Sequence, residues 1–241
     1  MNKKILILDF DGVLFDTLKE VYLVNRKEYL GIDFFDEIDE EEYALYSKYK
    51  FLVYNIWMFY YFNPLIFDKI EEKEIIKQYF DLISNRNLKE EEMFCERFLA
   101  IRQNLVKNHF DFWKNLETPY DFFFFIKKLF EEKNIKIVVI SKKNKNAILD
   151  RFKSYDFNLS PDDVYAREIL ANYSSKGEFM EEYMAKYGFN EGLFVDDNSN
   201  NLKTNKIPKV ENVLALWGNA EPNSEGYTQQ QAIEKIKNYF I

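Results

Sequence analysis

Residues Ile5-Leu6-Ile7-Leu8 are apolar at every position, and they run straight into Asp9-Phe10-Asp11-Gly12. A strand with one wet face alternates apolar and polar residues, so an uninterrupted apolar run of this length reads as a strand buried on both sides and feeding a turn. Such a strand needs parallel neighbours. The sequence supplies them only beyond Thr118-Pro119, where threonine can cap a helix and proline can take its first position. From there the pattern alternates: a helix over 122–132, a strand over 135–140, a helix near 145–153 and a short strand near 163–166. A helix over 176–187, a strand over 193–195, a short helix after Asn200, a strand over 213–217 and a final helix from Gln229 follow. Alternation of this kind predicts an α/β chain with a parallel sheet covered on both faces.

Between the first strand and this block, the apolar spacing is helical. Thr17 as N-cap, Glu20 as its capping-box partner and Gly31 as C-cap frame a first helix. A second is expected over about 40–62, ended by Pro64, a third over about 67–84 and a fourth over about 88–116. No one of them buries its apolar face alone, so they are expected to pack as a bundle. The expected domains are a core of 1–16 with 117–241 and an inserted four-helix domain of 17–116.

Composition narrows the function classes. With 33 basic and 41 acidic residues the net charge is −8, which argues against nonspecific nucleic-acid binding. A single cysteine, Cys95, and a single histidine, His109, exclude an internal disulfide and leave too few soft ligands for a zinc or His-rich centre. One cysteine also fits a reducing, intracellular setting. The charged start, Met1-Asn2-Lys3-Lys4, is followed by an apolar run that stops at Asp9, short of a leader sequence. The stretch Phe51–Phe62 is interrupted by Asn55 and too short to span a bilayer. The aromatic clusters Phe122–Phe125 and Trp57–Phe62 have the helical spacing of core residues. A cytoplasmic chain without nucleic-acid or membrane partners is expected, and its oligomeric state is left open.

In an open parallel sheet, ligands bind where strands end at their carboxyl edge. Four such places carry reactive side chains: Asp9 and Asp11, Ser141, Lys176 after Ser174-Ser175, and Asp196-Asp197. A carboxylate can attack phosphorus, which suits Asp9. A second carboxyl group two residues on, pointing the same way, can protonate the leaving oxygen and later activate water, which suits Asp11. An anionic nucleophile facing a phosphate needs positive charge between them, and Mg2+, a hard cation that prefers oxygen ligands, supplies it. Lys176 would add an ammonium, and Ser141 a hydroxyl and an amide, to the phosphoryl oxygens. A lysine opening a helix opposes the macrodipole, a local conflict that a bound anion offsets. Lys142 is a candidate for further charge near the leaving group.

Taken in order along the whole chain, these motifs resemble the haloacid dehalogenase-like (HAD) hydrolase superfamily. Ile5-Leu6-Ile7-Leu8-Asp9-Phe10-Asp11-Gly12-Val13-Leu14 is similar to its first motif and Val138-Val139-Ile140-Ser141 to its second. Ser175-Lys176-Gly177 is similar to the third and Phe194-Val195-Asp196-Asp197 to the fourth. The helical insertion resembles the family's cap. The resemblance implies a Rossmann-like core with an all-α cap and a Mg2+-dependent phosphatase acting on a small-molecule phosphate ester, of the sugar phosphate or nucleotide class, through an aspartyl phosphate. It implies metal ligation by Asp9, the backbone carbonyl of Asp11 and Asp197, with Asp196 bound directly or through water. Thr17 resembles the hinge position. Arg26, Arg97 and Arg102 are candidates for a second anion on the substrate, and His109 for polar recognition or packing. The second aspartate of the first motif argues against dehalogenation, because a departing halide needs no acid, and that motif also differs from that of phosphonate hydrolases. The chain departs from the family pattern at Lys142-Lys143 and at Asn201. A phosphomutase of the β-phosphoglucomutase type and a non-catalytic binding module are the alternatives.

Overall fold

The computed structural model describes residues 3–133 and 135–241; Met1, Asn2 and Asn134 lie outside the described residues. The chain divides into two compact units: Thr17–Glu117, and the segment ending at Asp16 together with Thr118–Ile241. Strands β1 (Lys4–Leu8) and β2 (Phe15–Asp16) open the second of these.

The Thr17–Glu117 unit holds six α-helices among the described residues: α1 (Leu18–Leu30), α2 (Glu40–Tyr49), α3 (Phe59–Phe67), α4 (Ile75–Ser84), α5 (Leu88–Asn108) and α6 (Phe110–Leu116). Gly31 ends α1 with a φ of 71° and donates its N–H to the Lys27 carbonyl. The expected capping box does not form. Thr17 makes no side-chain cap bond, and Glu20 is buried against Arg102, whose Nε and Nη2 each donate to it at 2.7 Å. A bidentate guanidinium partner inside the unit outcompetes a reach back to the backbone.

The expected helix over 40–62 is broken by 3-10 turns at Lys50–Leu52 and Ile56–Met58, and Pro64 lies inside α3 rather than ending it. Proline forfeits one backbone bond there, and the burial of Phe59, Phe62, Leu65 and Ile66 around it outweighs that loss. The expected helix over 88–116 turns at His109, where φ is −135°. The turn places His109 edge-on to Phe35, with ring centroids 5.1 Å apart, and buries Trp113. A polar chain ties α1, α2 and α3 together inside this aromatic core: Asn63 Nδ2 donates to Asn25 Oδ1 and Asn25 Nδ2 to the Tyr46 hydroxyl, both at 2.9 Å.

The other unit continues with β3 (Thr118–Pro119), α7 (Asp121–Glu132), β4 (Lys136–Ile140), α8 (Lys145–Ser154), β5 (Val164–Tyr165) and α9 (Arg167–Leu170). It ends with α10 (Lys176–Tyr187), β6 (Glu191–Asp196), α11 (Ser199–Thr204), β7 (Val210–Leu214) and α12 (Gln229–Phe240). Thr118-Pro119 does not cap α7. It pairs antiparallel with β2, Phe15 opposite Pro119 and Asp16 opposite Thr118, because both halves of the chain leave and re-enter the unit there.

The main sheet is parallel in the order β5-β4-β1-β6-β7, so β1 is central and its apolar run is buried on both faces. Alternate residues serve two layers. Leu6 and Leu8, with Ile137, Val139, Leu193 and Val195, pack with α7, α8 and α12 through Phe122, Phe123, Ile148, Phe152 and Ile236. Ile5 and Ile7, with Val138, Ile140 and Phe194, pack with Phe179, Met180 and Met184 of α10 and Leu202 of α11. Each side chain so buried contributes about 1.5–3 kcal/mol. Strand β7 begins three residues earlier than expected, and Trp217 lies beyond it, donating its indole N–H to the Val13 carbonyl at 3.1 Å.

Candidate active site

The sheet register sets the site. Leu8 pairs with Val139 on one side and Val195 on the other, so the carboxyl ends of β1, β4 and β6 share one edge. Asp9 continues the ladder, its N–H donating to the Val195 carbonyl at 2.9 Å, and Ser141 does the same to Tyr165 at 3.0 Å. After Asp9 the chain must turn within three residues, and Leu14 and Phe15 both donate to the Phe10 carbonyl. Gly12 makes the turn at a φ of +76°, a conformation that favours glycine. An added Cβ there would stand 1.9 Å from Asp197 Oδ2, so the turn and the carboxylate share the same space.

Lys176 is aimed from the start of α10. Ser175 caps the helix by accepting from the Glu178 N–H at 3.1 Å. The next residue, Gly177, is pressed against Thr204 of α11, with an added Cβ only 2.0 Å from its carbonyl oxygen. Lys176 is thereby buried with its Nζ 2.6 Å from Asp9 Oδ2 and 2.7 Å from Asp196 Oδ2.

Asp9, Asp196 and Asp197 each offer a carboxylate oxygen, and these atoms all lie within 4.8 Å of one another. Asp196 accepts from Lys176, from the Asn198 N–H at 2.8 Å, and from Asn201 Nδ2 at 3.1 Å on both oxygens. Asp197 Oδ2 accepts from the N–H and the side-chain amide of Asn219, at 2.7 and 2.9 Å. Ser141 is buried, and its Oγ accepts from the Lys143 N–H at 3.3 Å. Lys143 is buried as well and donates its Nζ to Asp11 Oδ1 at 3.3 Å.

Three buried carboxylates converge around the Lys176 ammonium. Burial pushes the Asp9 carboxyl up from 3.8 to about 7; Lys176 pulls it down, and Asp196 pushes it further up. Burial raises Asp196 in the same way, against the pull of Lys176 and with the push of Asp197. Burial opposes the charge on Lys176, but Asp196 and Asp9 outweigh it and hold the ammonium above its ordinary value. A donor set of buried carboxylate oxygens fits a hard divalent cation.

The structure thus gathers Asp9, Lys176, Asp196 and Asp197 into one cluster, with Ser141 at the neighbouring strand end and Asp11 on the turn. Lys142 is exposed. Even so, desolvation and the nearby Lys176 lower its pKa, while Asp9 and Asp196 act the other way. In the helical unit, Thr17 is the first residue of that unit and the N-cap position of α1. Arg26 is buried and donates Nη1 to the Glu37 carbonyl at 2.8 Å. Arg102 is held by Glu20 and Arg97 by Glu28. All three arginines thus have partners within the unit.

Two residues at the site were not singled out from sequence. Lys143 lies in a bend two positions after Ser141, with its N–H donating back to the serine hydroxyl, and its proximity to the second motif is the signal that could have found it. Asn219 stands 22 residues beyond Asp197, and no local pattern connects them.

No protein-family profile matches the sequence, and no curated protein does. Solved structures do match over nearly the whole chain. A predicted phosphoglycolate phosphatase from Haemophilus somnus 129PT is 12% identical, with 99% of each chain covered and a TM-score of 0.63. A haloacid dehalogenase-like family hydrolase from Streptococcus pneumoniae is 10% identical, covering 100% of this chain and 99% of its own, with a TM-score of 0.60. A HAD-superfamily hydrolase of subfamily IA, variant 1, from Geobacter sulfurreducens PCA is 17% identical, covering 98% and 96%, with a TM-score of 0.54.

Proposed function

The chain has the fold of the haloacid dehalogenase-like hydrolases, and on that premise we propose that it is a Mg2+-dependent phosphatase of small phosphorylated metabolites. The observation that carries this reading is the Lys176 ammonium bridging Asp9 and Asp196 at 2.6 and 2.7 Å, inside a three-carboxylate cluster at the carboxyl edge of the sheet.

Asp9 is the nucleophile. Its carboxylate oxygen bonds to phosphorus as the bond to the ester oxygen breaks, giving an aspartyl phosphate and an alcohol. Asp11 gives the departing oxygen its proton, then takes one from the water that attacks the same phosphorus, which releases phosphate and restores Asp9. Lys176 favours the ionised form of Asp9, which burial disfavours, and offers charge to the phosphoryl oxygens. Ser141 contributes its hydroxyl and backbone amide to those oxygens. Asp9, the Asp11 carbonyl and Asp197 would hold Mg2+. Asp196, whose oxygens already accept from Lys176, Asn198 and Asn201, orients the lysine and borders the ion. When bound, the ion neutralises charge between nucleophile and phosphate.

The core catalyses and the helical unit selects among substrates, with Thr17 as the hinge between them. Sugar phosphates and nucleotides form the substrate class to be screened, together with phosphoglycolate, the ester in the description of one structural relative. The test is phosphate release from such esters with and without Mg2+, for wild type and Asp9→Asn. Metal-dependent release by wild type, falling to background in the variant, is the expected result. Full activity in Asp9→Asn refutes the nucleophile. An isomerised ester in place of free phosphate refutes hydrolysis.

A further inference from the structure

Asp197 is buried, and Asn219 holds it with two hydrogen bonds. Both donors of Asn219, backbone and side chain, converge on the same oxygen, Oδ2, at 2.7 and 2.9 Å. Two donors on one oxygen fix the rotation of a carboxylate as well as its position. They are neutral amides, so they orient the group without cancelling its charge. The segment that delivers Asn219 is itself pinned. Ala215 donates to the Asp196 carbonyl at 3.0 Å, and Trp217 reaches the Val13 carbonyl with its indole N–H at 3.1 Å. Between them and Asn219, Gly218 leaves no room for a side chain: an added Cβ would lie 2.2 Å from the Gly12 carbonyl oxygen and 2.6 Å from Asp197 Cβ. The loop after β7 and the turn after β1 therefore close on Asp197 together. Its neighbour Asp196 is treated differently, with the Lys176 ammonium and the Asn201 amide on its oxygens.

We infer that Asn219 is a positioning residue for the divalent cation, anchoring Asp197 through Oδ2 so that its carboxylate meets the metal in a single orientation. The inference rests on the reading of the site as metal-dependent. It makes the two consecutive aspartates unequal: Asp197 is pre-set for the ion by Asn219, and Asp196 is committed to Lys176. Loss of the partner that orients a ligand typically weakens metal affinity by about 10–100-fold.

The experiment titrates the full-length, metal-free chain with Mn2+ as the probe and follows free Mn2+ by electron paramagnetic resonance, for wild type, Asn219→Ala and Asn219→Ser. Both variants keep the backbone donor and remove the side-chain amide; the serine variant retains a small polar group, and so covers the case in which the alanine variant fails to fold. Expected is a Kd raised about tenfold or more in both. The Mg2+ concentration for half-maximal turnover should rise by the same factor, while the metal-free Tm stays close to wild type. A purely structural role would move the metal-free Tm and spare the Kd. Wild-type binding of Mn2+ with variant affinities within twofold of it overturns the inference and leaves the phosphatase reading standing. A wild type that binds no Mn2+ overturns both.

Discussion

Gly12 shows how one residue can carry a backbone and a site requirement together. Its φ of +76° lets the chain turn immediately after β1, and its missing side chain leaves space for Asp197 Oδ2 and the Asn219 amide. The motif Asp-Phe-Asp-Gly reveals the first requirement, because glycine after a strand end is a turn signal. The second is invisible until residue 197 arrives. Gly12→Ala is accordingly expected to cost more than the roughly 1–2 kcal/mol that a side chain in left-handed backbone accounts for, because the new Cβ would displace a carboxylate. Urea denaturation would show this cost, and Mn2+ titration would show weakened binding in the same variant. A variant that loses stability but keeps its metal affinity would show that the turn and the site are independent.

Among the helices, buried ion pairs decide more than local signals do. Thr17 and Glu20 have the spacing of a capping box, yet Glu20 is fully buried against Arg102 from α5. A pattern of four residues cannot report a partner 82 positions away. Arg102→Ala would strand a buried carboxylate and is expected to cost about 3–5 kcal/mol. Lys73→Ala removes a pair that is exposed on both sides and is expected to cost well under 1 kcal/mol. Chemical denaturation of the two variants side by side measures the contrast, and similar losses would refute it. Pro64 and His109 teach the same lesson. Their local preferences are real, but the burial of Phe59 and Phe62 around one and of Trp113 after the other sets where helices run and turn.

For the molecule as a whole, the acidic cluster links stability, pH and metal. Burial lifts Asp9 from 3.8 to about 7, so between those values the folded protein keeps a proton that the unfolded chain has released. Stability of the metal-free protein therefore falls as pH rises from about 4 to about 7. Asp196 is shifted in the same direction and adds to the slope. Thermal denaturation across this range should show a declining Tm that flattens in Asp9→Asn. Saturating Mg2+ should reverse the decline, since a cation favours ionised carboxylates, and at a hundred times its Kd it adds about 2.7 kcal/mol. A Tm that rises through this range without metal would contradict the electrostatics of the cluster.

The amino-acid order alone was enough to specify the parallel α/β core and the segments bearing Asp9, Asp11, Ser141, Lys176, Asp196 and Asp197, because apolar runs and the polar residues that end them are local patterns. Strand order, the pairing of Thr118-Pro119 with Phe15-Asp16, and the start of β7 at Val210 were settled by which surfaces could be buried together. The same holds for the hands that hold the reactive groups. Lys143 reaches Asp11 and Asn219 reaches Asp197 only once the chain is packed, and a hydrogen bond between distant residues leaves no periodic trace in the sequence.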